Sequence, residues 1–302
     1  RRLTMTGRGP FLPVLAPAAL QAAYAFRQNG TLQWCQGAMA PAVARGACAV
    51  FLLSDPPPTQ YDLRFVVLGI PVRIHPLFWL AALVTGMPDL NDRDFQLSML
   101  LAWVAAFFVA ILVHELGHAL AMRSHGFRPW ITLHGLGGMA SYDASQGRPA
   151  SVGGRLAISF AGPGAGFLLA ALVVAGLTAA GMRPLVLWEF YVVPMVFFPQ
   201  IIGSVPLTLF VIYLLHISVF WGFVNLLPVQ PLDGGHIARD LLVYADPREG
   251  MRRSLVLSLA TAVLVAVVAL VRLRSPFITL LFAYLAYHSY AMLAMYRSRG
   301  PW

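Results

Sequence analysis

His114, Glu115 and His118 lie in the stretch VAILVHELGHALAM, and their types and spacing suit metal-assisted hydrolysis. Residues four apart on a helix share one face, so both imidazoles can reach a single metal ion. Glu115 stands one step round, where its carboxylate can polarise a water on the metal instead of binding the ion. That is the arrangement a zinc peptidase uses. Its setting is unusual, because Leu97 to Met122 is nearly unbroken apolar sequence. Ionisable groups inside a membrane span are expensive, and they mark functional sites by default.

The rest of the composition supports a membrane setting. Hydrophobic residues make up 59% of the chain and charged residues 11%, against about 45–50% and about 25% in a soluble domain. Several stretches approach the roughly 20 apolar residues that cross a bilayer. The fold expected is an all-α membrane protein of about six transmembrane helices, with a small β-hairpin or re-entrant element near the site. Its apolar segments are Pro76–Met87 (short for a span), the motif helix, Leu156–Ala180, Pro206–Leu227, Ser254–Val271 and Pro276–Met295. Leu63–His75 alternates in places and reads as one or two short strands. Phe127–Tyr142 is Gly-rich and irregular, which suggests the hairpin or re-entrant loop. Gly162-Pro163-Gly164 must kink its helix or let another backbone approach. Leu185–Ser204 reads as an apolar cap or re-entrant segment.

Residues 1–62 differ from the remainder and are expected to form a poorly ordered tail, with 63–302 as the membrane domain. Arg1-Arg2 and the apolar Phe11–Ala25 stretch also permit a signal peptide, although two prolines interrupt it. The two cysteines, Cys35 and Cys48, both fall in this tail, so no cysteine-based metal site is expected. A net charge of +9 does not require nucleic acid. Arginines flanking spans and facing anionic lipid account for it. Arg123, Arg128, Arg148, Arg155, Arg239, Arg248, Arg252 and Arg253 fall in loops on one side, with Arg297 and Arg299 at the C-terminus. Arg93, Arg183, Arg272 and Arg274 fall on the other. This asymmetry places both termini and the HExxH end of its helix in the cytoplasm, most simply at a bacterial cytoplasmic membrane.

Two histidines leave a catalytic zinc one protein ligand short. The acids after His118 are Asp143, Glu189, Asp233, Asp240, Asp246 and Glu249. None has the spacing of the third ligand in thermolysin-type peptidases, and Glu189 falls on the wrong side of the membrane. Asp233 is best placed, in NLLPVQPLDGGH, where Pro228 and Pro231 end a helix and Gly234-Gly235 let the backbone turn tightly. Asp143 is the alternative.

His114-Glu115-xx-His118, taken with Asn225-xx-Pro228 and Leu232-Asp233-Gly234-Gly235, resembles the site-2 protease family of intramembrane zinc peptidases. Gly137-Gly138-Met139-Ala140 and Ala161-Gly162-Pro163 are similar to family sequence as well. The resemblance covers about residues 64–296 and is to the compact branch without PDZ or CBS domains. It implies one zinc ion per chain held by His114, His118 and Asp233, with Glu115 as general base. It implies that Asn225 orients substrate or stabilises the oxyanion. The implied substrate is a single-span membrane protein, such as an anti-sigma or transcription factor, cut within its membrane segment in regulated intramembrane proteolysis.

The remaining histidines lack ligand spacing. His75 reads as interfacial, His125 and His134 as neighbours of the site in sequence only, and His236 as a surface or supporting residue. His216 and His288 read as helix-packing hydrogen-bonders. The Gly135–Gly138 stretch reads as a strand edge that pairs with unwound substrate. A different class, a non-proteolytic zinc-binding membrane protein or metal transporter on the same scaffold, would show polar residues along several spans. Here the spans are nearly free of charge outside the motifs.

Overall fold

A computed structural model describes residues 56–86, 97–135, 137–143, 150–189 and 193–298. Most of the tail expected over residues 1–62 lies outside them. Residues 56–62 rest on the first hairpin, where Arg73 donates to the Asp62 carboxylate at 3.2 Å and to the Pro56 carbonyl at 3.0 Å.

The hairpin pairs β1 (Leu63–Val67) with β2 (Ile70–Ile74), antiparallel. Its two turn residues, Leu68 and Gly69, both have positive φ, 52° and 77°. Two left-handed residues match the twist of the flanking strands. Gly69 adopts that conformation without steric cost, and the Leu68 carbonyl accepts a hydrogen bond from Arg123. Arg123 belongs to the motif helix, so this contact ties the hairpin to the helix end.

Helix α1 (Pro76–Gly86) follows, with proline at its first position as helices favour. His75 is buried, and its Nδ1 accepts from the Leu77 amide at 3.2 Å. It caps α1. The motif helix α2 (Leu97–Ser124) has 28 residues, about 42 Å of helix. The expected element after it is a hairpin, β3 (Pro129–His134) with β4 (Gly137–Tyr142). β3 also lies parallel to β2, giving one sheet in the order β1-β2-β3-β4. Alternation in β2 buries Ile70, Val72 and Ile74, which join Ile131 and Leu133 of β3 against Phe78 of α1 and Phe107 and Ile111 of α2. The sheet therefore sits on the motif helix, with β4 as one of its two edge strands among the described residues.

Helix α3 (Val152–Ala179) starts at Ser151, whose hydroxyl accepts from the Gly154 amide. Leu185–Ser204, expected as a cap or re-entrant segment, contains an antiparallel hairpin of β5 (Leu185–Glu189) and β6 (Val193–Phe197). Its β-branched residues favour strand. Then come α4 (Val205–Asn225), α5 (Asp233–Ala245), α6 (Gly250–Val268, continued by a π turn over Ala269–Leu273) and α7 (Pro276–Ser298). Five of the helices (α2, α3, α4, α6 with its π turn, and α7) are long and apolar enough to cross a membrane, and α1 is the shorter sixth. The chain is an integral membrane protein.

The spans touch through small residues. A Cβ on Gly117 of α2 would land on the Ala161 carbonyl of α3, and one on Gly166 of α3 would lie 3.2 Å from the Ser218 carbonyl of α4. Pro163 lies inside α3 without ending it. Gly117→Ala is expected to force α2 and α3 apart and to cost about 1–3 kcal/mol. Gly176→Ala, whose Cβ would meet open space, should be neutral or slightly stabilising through helix propensity. Thermal unfolding of both variants in detergent micelles checks the contrast, and equal melting temperatures would refute the close approach.

Candidate metal centre

One turn of α2 separates His114 from His118. Their rings stand 4.9 Å apart at 75°, and both are buried. The two Nε2 atoms are 3.2 Å from each other. Asp233, the first residue of α5, reaches in with Oδ2 3.2 Å from His114 Nε2 and Oδ1 3.2 Å from His118 Nε2. Among the described residues this is the one group of three His, Cys, Asp or Glu placed to hold a metal. In a tetrahedral zinc site with ligands at about 2.0–2.1 Å, neighbouring ligand atoms lie about 3.3 Å apart. The observed separations match that edge, and two imidazoles with one carboxylate make a donor set that zinc accepts. The residues fit the ion, with a fourth position left for reacting groups.

Two of the three candidate ligands are aimed by their surroundings. His118 Nδ1 lies 2.7 Å from the Ile158 carbonyl of α3. A carbonyl can only accept, so Nδ1 carries the proton and Nε2 presents its lone pair to the centre. Gly162 makes room for this ring, since a Cβ there would overlap His118 Nε2. The glycine foreseen as a kink or a backbone contact thus admits a side chain. Asp233 gains from its place at the positive end of α5. Burial pushes its carboxyl upward, but His118 and His114 beside it outweigh burial and hold it below the ordinary carboxylate range.

The turn leading into α5 is fixed from beneath. The Gln230 amide donates to Ser258 Oγ of α6 at 2.7 Å, Ser258 pairs with Ser289 of α7 at 2.7 Å, and Gln230 Nε2 donates to the Gly235 carbonyl at 2.7 Å. Gly234 and Gly235 are helical here. They are needed for space, because a Cβ on either would strike the Leu226 or Val229 carbonyl. Tight turning, the role expected of them, is not what they do.

Glu115 is buried beside the ligands and accepts a hydrogen bond from the Ala140 amide of β4. Gly138 of the same strand faces it so closely that a Cβ would collide with its carboxyl. Asn225 is buried at the end of α4 and donates through Nδ2 to the Trp221 carbonyl at 3.1 Å. That leaves its second amide hydrogen to spend elsewhere. Trp221 in turn lies against Gly137, which brings the last turn of α4 beside the start of β4. Asp143, the alternative third ligand, is outside the cluster. His125 spends its Nδ1 on the Ala121 carbonyl. Burial and then the Arg239 charge push His236 down to about 4, so it is a neutral neighbour of the ligands. Of the residues that support these side chains, Ile158 carries no signal in the sequence, while Gly138 and Ala140 stand out only within Gly137–Ala140 and Gly162 only within Ala161–Gly164.

Residues 102–269, more than half of the chain and every motif above, match the family described as peptidase family M50. The chain belongs to peptidase family M50, the site-2 protease family. A zinc metalloprotease of Methanocaldococcus jannaschii is 29% identical over 189 residues, 61% of this chain and 46% of that protein. The chain thus spans about half the length of the curated relatives it matches. A solved structure, the site-2 protease from Methanocaldococcus jannaschii, aligns with a TM-score of 0.49 at 22% identity, covering 77% of this chain and 95% of that one.

The geometry separates the two candidate third ligands. Asp233→Ala should weaken zinc binding by at least the roughly 10–100-fold typical of losing an outer-shell partner, whereas Asp143→Ala should leave it close to wild type. Competition against a chromophoric chelator, using detergent-purified protein stripped of metal, measures both. The reverse order would displace Asp233 from the centre.

Proposed function

We propose that this chain is an intramembrane zinc endopeptidase that cuts the transmembrane segments of membrane-tethered proteins. The observation carrying the reading is the position of Glu115. Its buried carboxylate lies between the His114/His118/Asp233 cluster and the edge strand β4, held by the Ala140 amide.

The backbone of β4 explains how a substrate enters. The N–H and C=O of one strand residue point the same way across the strand. Ala140 sends its amide to Glu115, so Gly138, Ala140 and Tyr142 present their polar groups on the edge away from β3. A transmembrane helix buries its peptide bonds in its own hydrogen bonds and must unwind before attack. An unwound segment added to this edge recovers hydrogen bonds and lies extended past Glu115. Glu115 is nine residues from the end of α2, about 14 Å of helix, so the cut falls below the membrane surface.

When bound, zinc supplies Lewis acidity, polarising a carbonyl and making water a nucleophile near neutral pH. His114, His118 and Asp233 are the residues that would hold it. Glu115 takes the proton of the attacking water on its carboxylate and returns it to the leaving amide nitrogen. Asn225 offers its free amide hydrogen to the substrate carbonyl or the developing oxyanion.

Single-span regulatory proteins, such as a membrane-tethered transcription factor or anti-sigma factor, suit an extended edge reached from within the bilayer. Arg123, Arg155, Arg239, Arg248, Arg252, Arg253 and Arg297 all belong to the helix ends or loops nearest the site, while Arg183, Arg272 and Arg274 belong to the opposite ends. By the positive-inside rule the site opens toward the cytoplasm, and we infer a bacterial cytoplasmic membrane.

Glu115→Gln is expected to keep wild-type zinc content and lose nearly all cleavage of a single-span substrate in proteoliposomes. General acid–base help is worth typically 10²–10⁴-fold. Cleavage retained in Glu115→Gln would remove Glu115 from the chemistry, and zinc flux into the liposomes without proteolysis would replace the peptidase reading with transport.

A further inference from the structure

Helices α3 and α5 face each other through two stripes with matching spacing. On α3 the stripe is Arg155, Ile158 and Gly162. Ile158 holds the His118 proton and Gly162 gives its ring room. On α5 it is Asp240, His236 and Asp233. Residues three, four and seven apart fall on one helix face, and the order is reversed between the two helices. Asp233 meets His118 at the Gly162 end, and Asp240 meets Arg155 two turns away. His236 falls between, within electrostatic reach of His118, Asp233 and Asp240.

Asp240 is 6% exposed, yet both its oxygens are engaged. Arg155 Nε donates to Oδ2 at 3.0 Å, and Arg239 reaches Oδ1 through Nε and Nη2, both at 3.1 Å. The two arginines do different things. Arg239 is the neighbouring residue on α5 and neutralises Asp240 from within the same helix. Arg155 comes from α3, and its Nη1 also donates to the Ala150 carbonyl at 3.0 Å, which fixes the guanidinium at the start of that helix. An arginine held by two hydrogen bonds in a fixed fork defines a position better than a flexible cation does.

We propose that Arg155 and Asp240 are a positioning pair that sets the register of α5 on α3, and thereby holds the Asp233 carboxylate at both imidazoles. The proposal rests on the reading of Asp233 as a zinc ligand. Without the pair, a slide of α5 by a fraction of a turn is enough to move Asp233 out of ligand range, while His114 and His118 remain in place on α2. The pair does not touch the reacting atoms. It acts through Asp233.

Arg155→Gln is the informative variant, because it cuts the link between helices and leaves Asp240 neutralised by Arg239. Zinc affinity is measured by chelator competition on the full chain in detergent, alongside thermal unfolding of the metal-free protein, with Asp233→Asn as reference. The expected result for Arg155→Gln is a loss of zinc affinity of about tenfold or more, in the range for residues that orient a ligand, with metal-free melting near wild type. Arg155→Lys should recover part of the affinity. The charge exchange Arg155→Asp with Asp240→Arg should recover it as well, and it serves as the deciding variant if Arg155→Gln fails to fold. Asp233→Asn binding weakly while Arg155→Gln binds like wild type would overturn the proposal and spare the ligand assignment. A folded charge exchange with no recovered affinity would also overturn it. Wild-type affinity in Asp233→Asn would overturn the ligand assignment itself, and the pair's role with it.

Discussion

Two imidazoles and the Glu115 carboxylate are buried among apolar spans, with the half-buried Asp233 carboxylate against them, and none can be left without a partner there. An unsatisfied polar group in lipid costs several kcal/mol, and an unpaired charge more. Within a few ångströms of His118 the chain therefore supplies a carbonyl for one ring nitrogen and a carboxylate for the other. Glu115 receives a strand amide. These partners come from α3, α5 and β4, so the packing of the whole domain around α2 follows from satisfying one turn of helix.

Such convergence demands that backbones come close, and glycine is how the chain achieves it. Gly117 lets α3 lie directly on α2, Gly162 admits the His118 ring, Gly138 admits the Glu115 carboxyl, and Gly234 with Gly235 seats the start of α5 on the preceding turn. In a membrane there is little hydrophobic drive between helices, and close van der Waals contact through small residues takes its place. The Gln230, Ser258 and Ser289 chain extends the same principle to α6 and α7, joining the last two spans to the turn that carries Asp233.

Much of this was legible in the sequence. The HExxH spacing is a direct consequence of helical periodicity, and an unbroken apolar run identifies the spans without any tertiary knowledge. The strands around Leu63–His75 and Phe127–Tyr142 announce themselves by Gly, Pro and β-branched residues, and both form. Asp233 could be singled out because prolines end the preceding helix just before it. What could not be read depends on neighbours distant in sequence. A glycine that leaves space for a side chain has no local signature, so Gly162-Pro163-Gly164 reads as a kink or a backbone approach and Gly234-Gly235 as a tight turn. The capping role of His75 is equally hidden, because its bond to Leu77 depends on where α1 begins. The pairing of β5 with β6 and the extent of α5 were also missed. The period of Ile237, Leu241 and their polar neighbours could have revealed α5, since it is the most amphipathic helix among the described residues.

The central claim is that His114, His118 and Asp233 bind one zinc ion together, and X-ray absorption at the zinc edge tests it most directly. On the zinc-loaded, detergent-purified chain the account predicts four nitrogen or oxygen neighbours at about 2.0–2.1 Å, with outer-shell scattering from two imidazoles. A sulfur neighbour at about 2.3 Å, the scattering of a single imidazole, or a six-coordinate oxygen shell would contradict it.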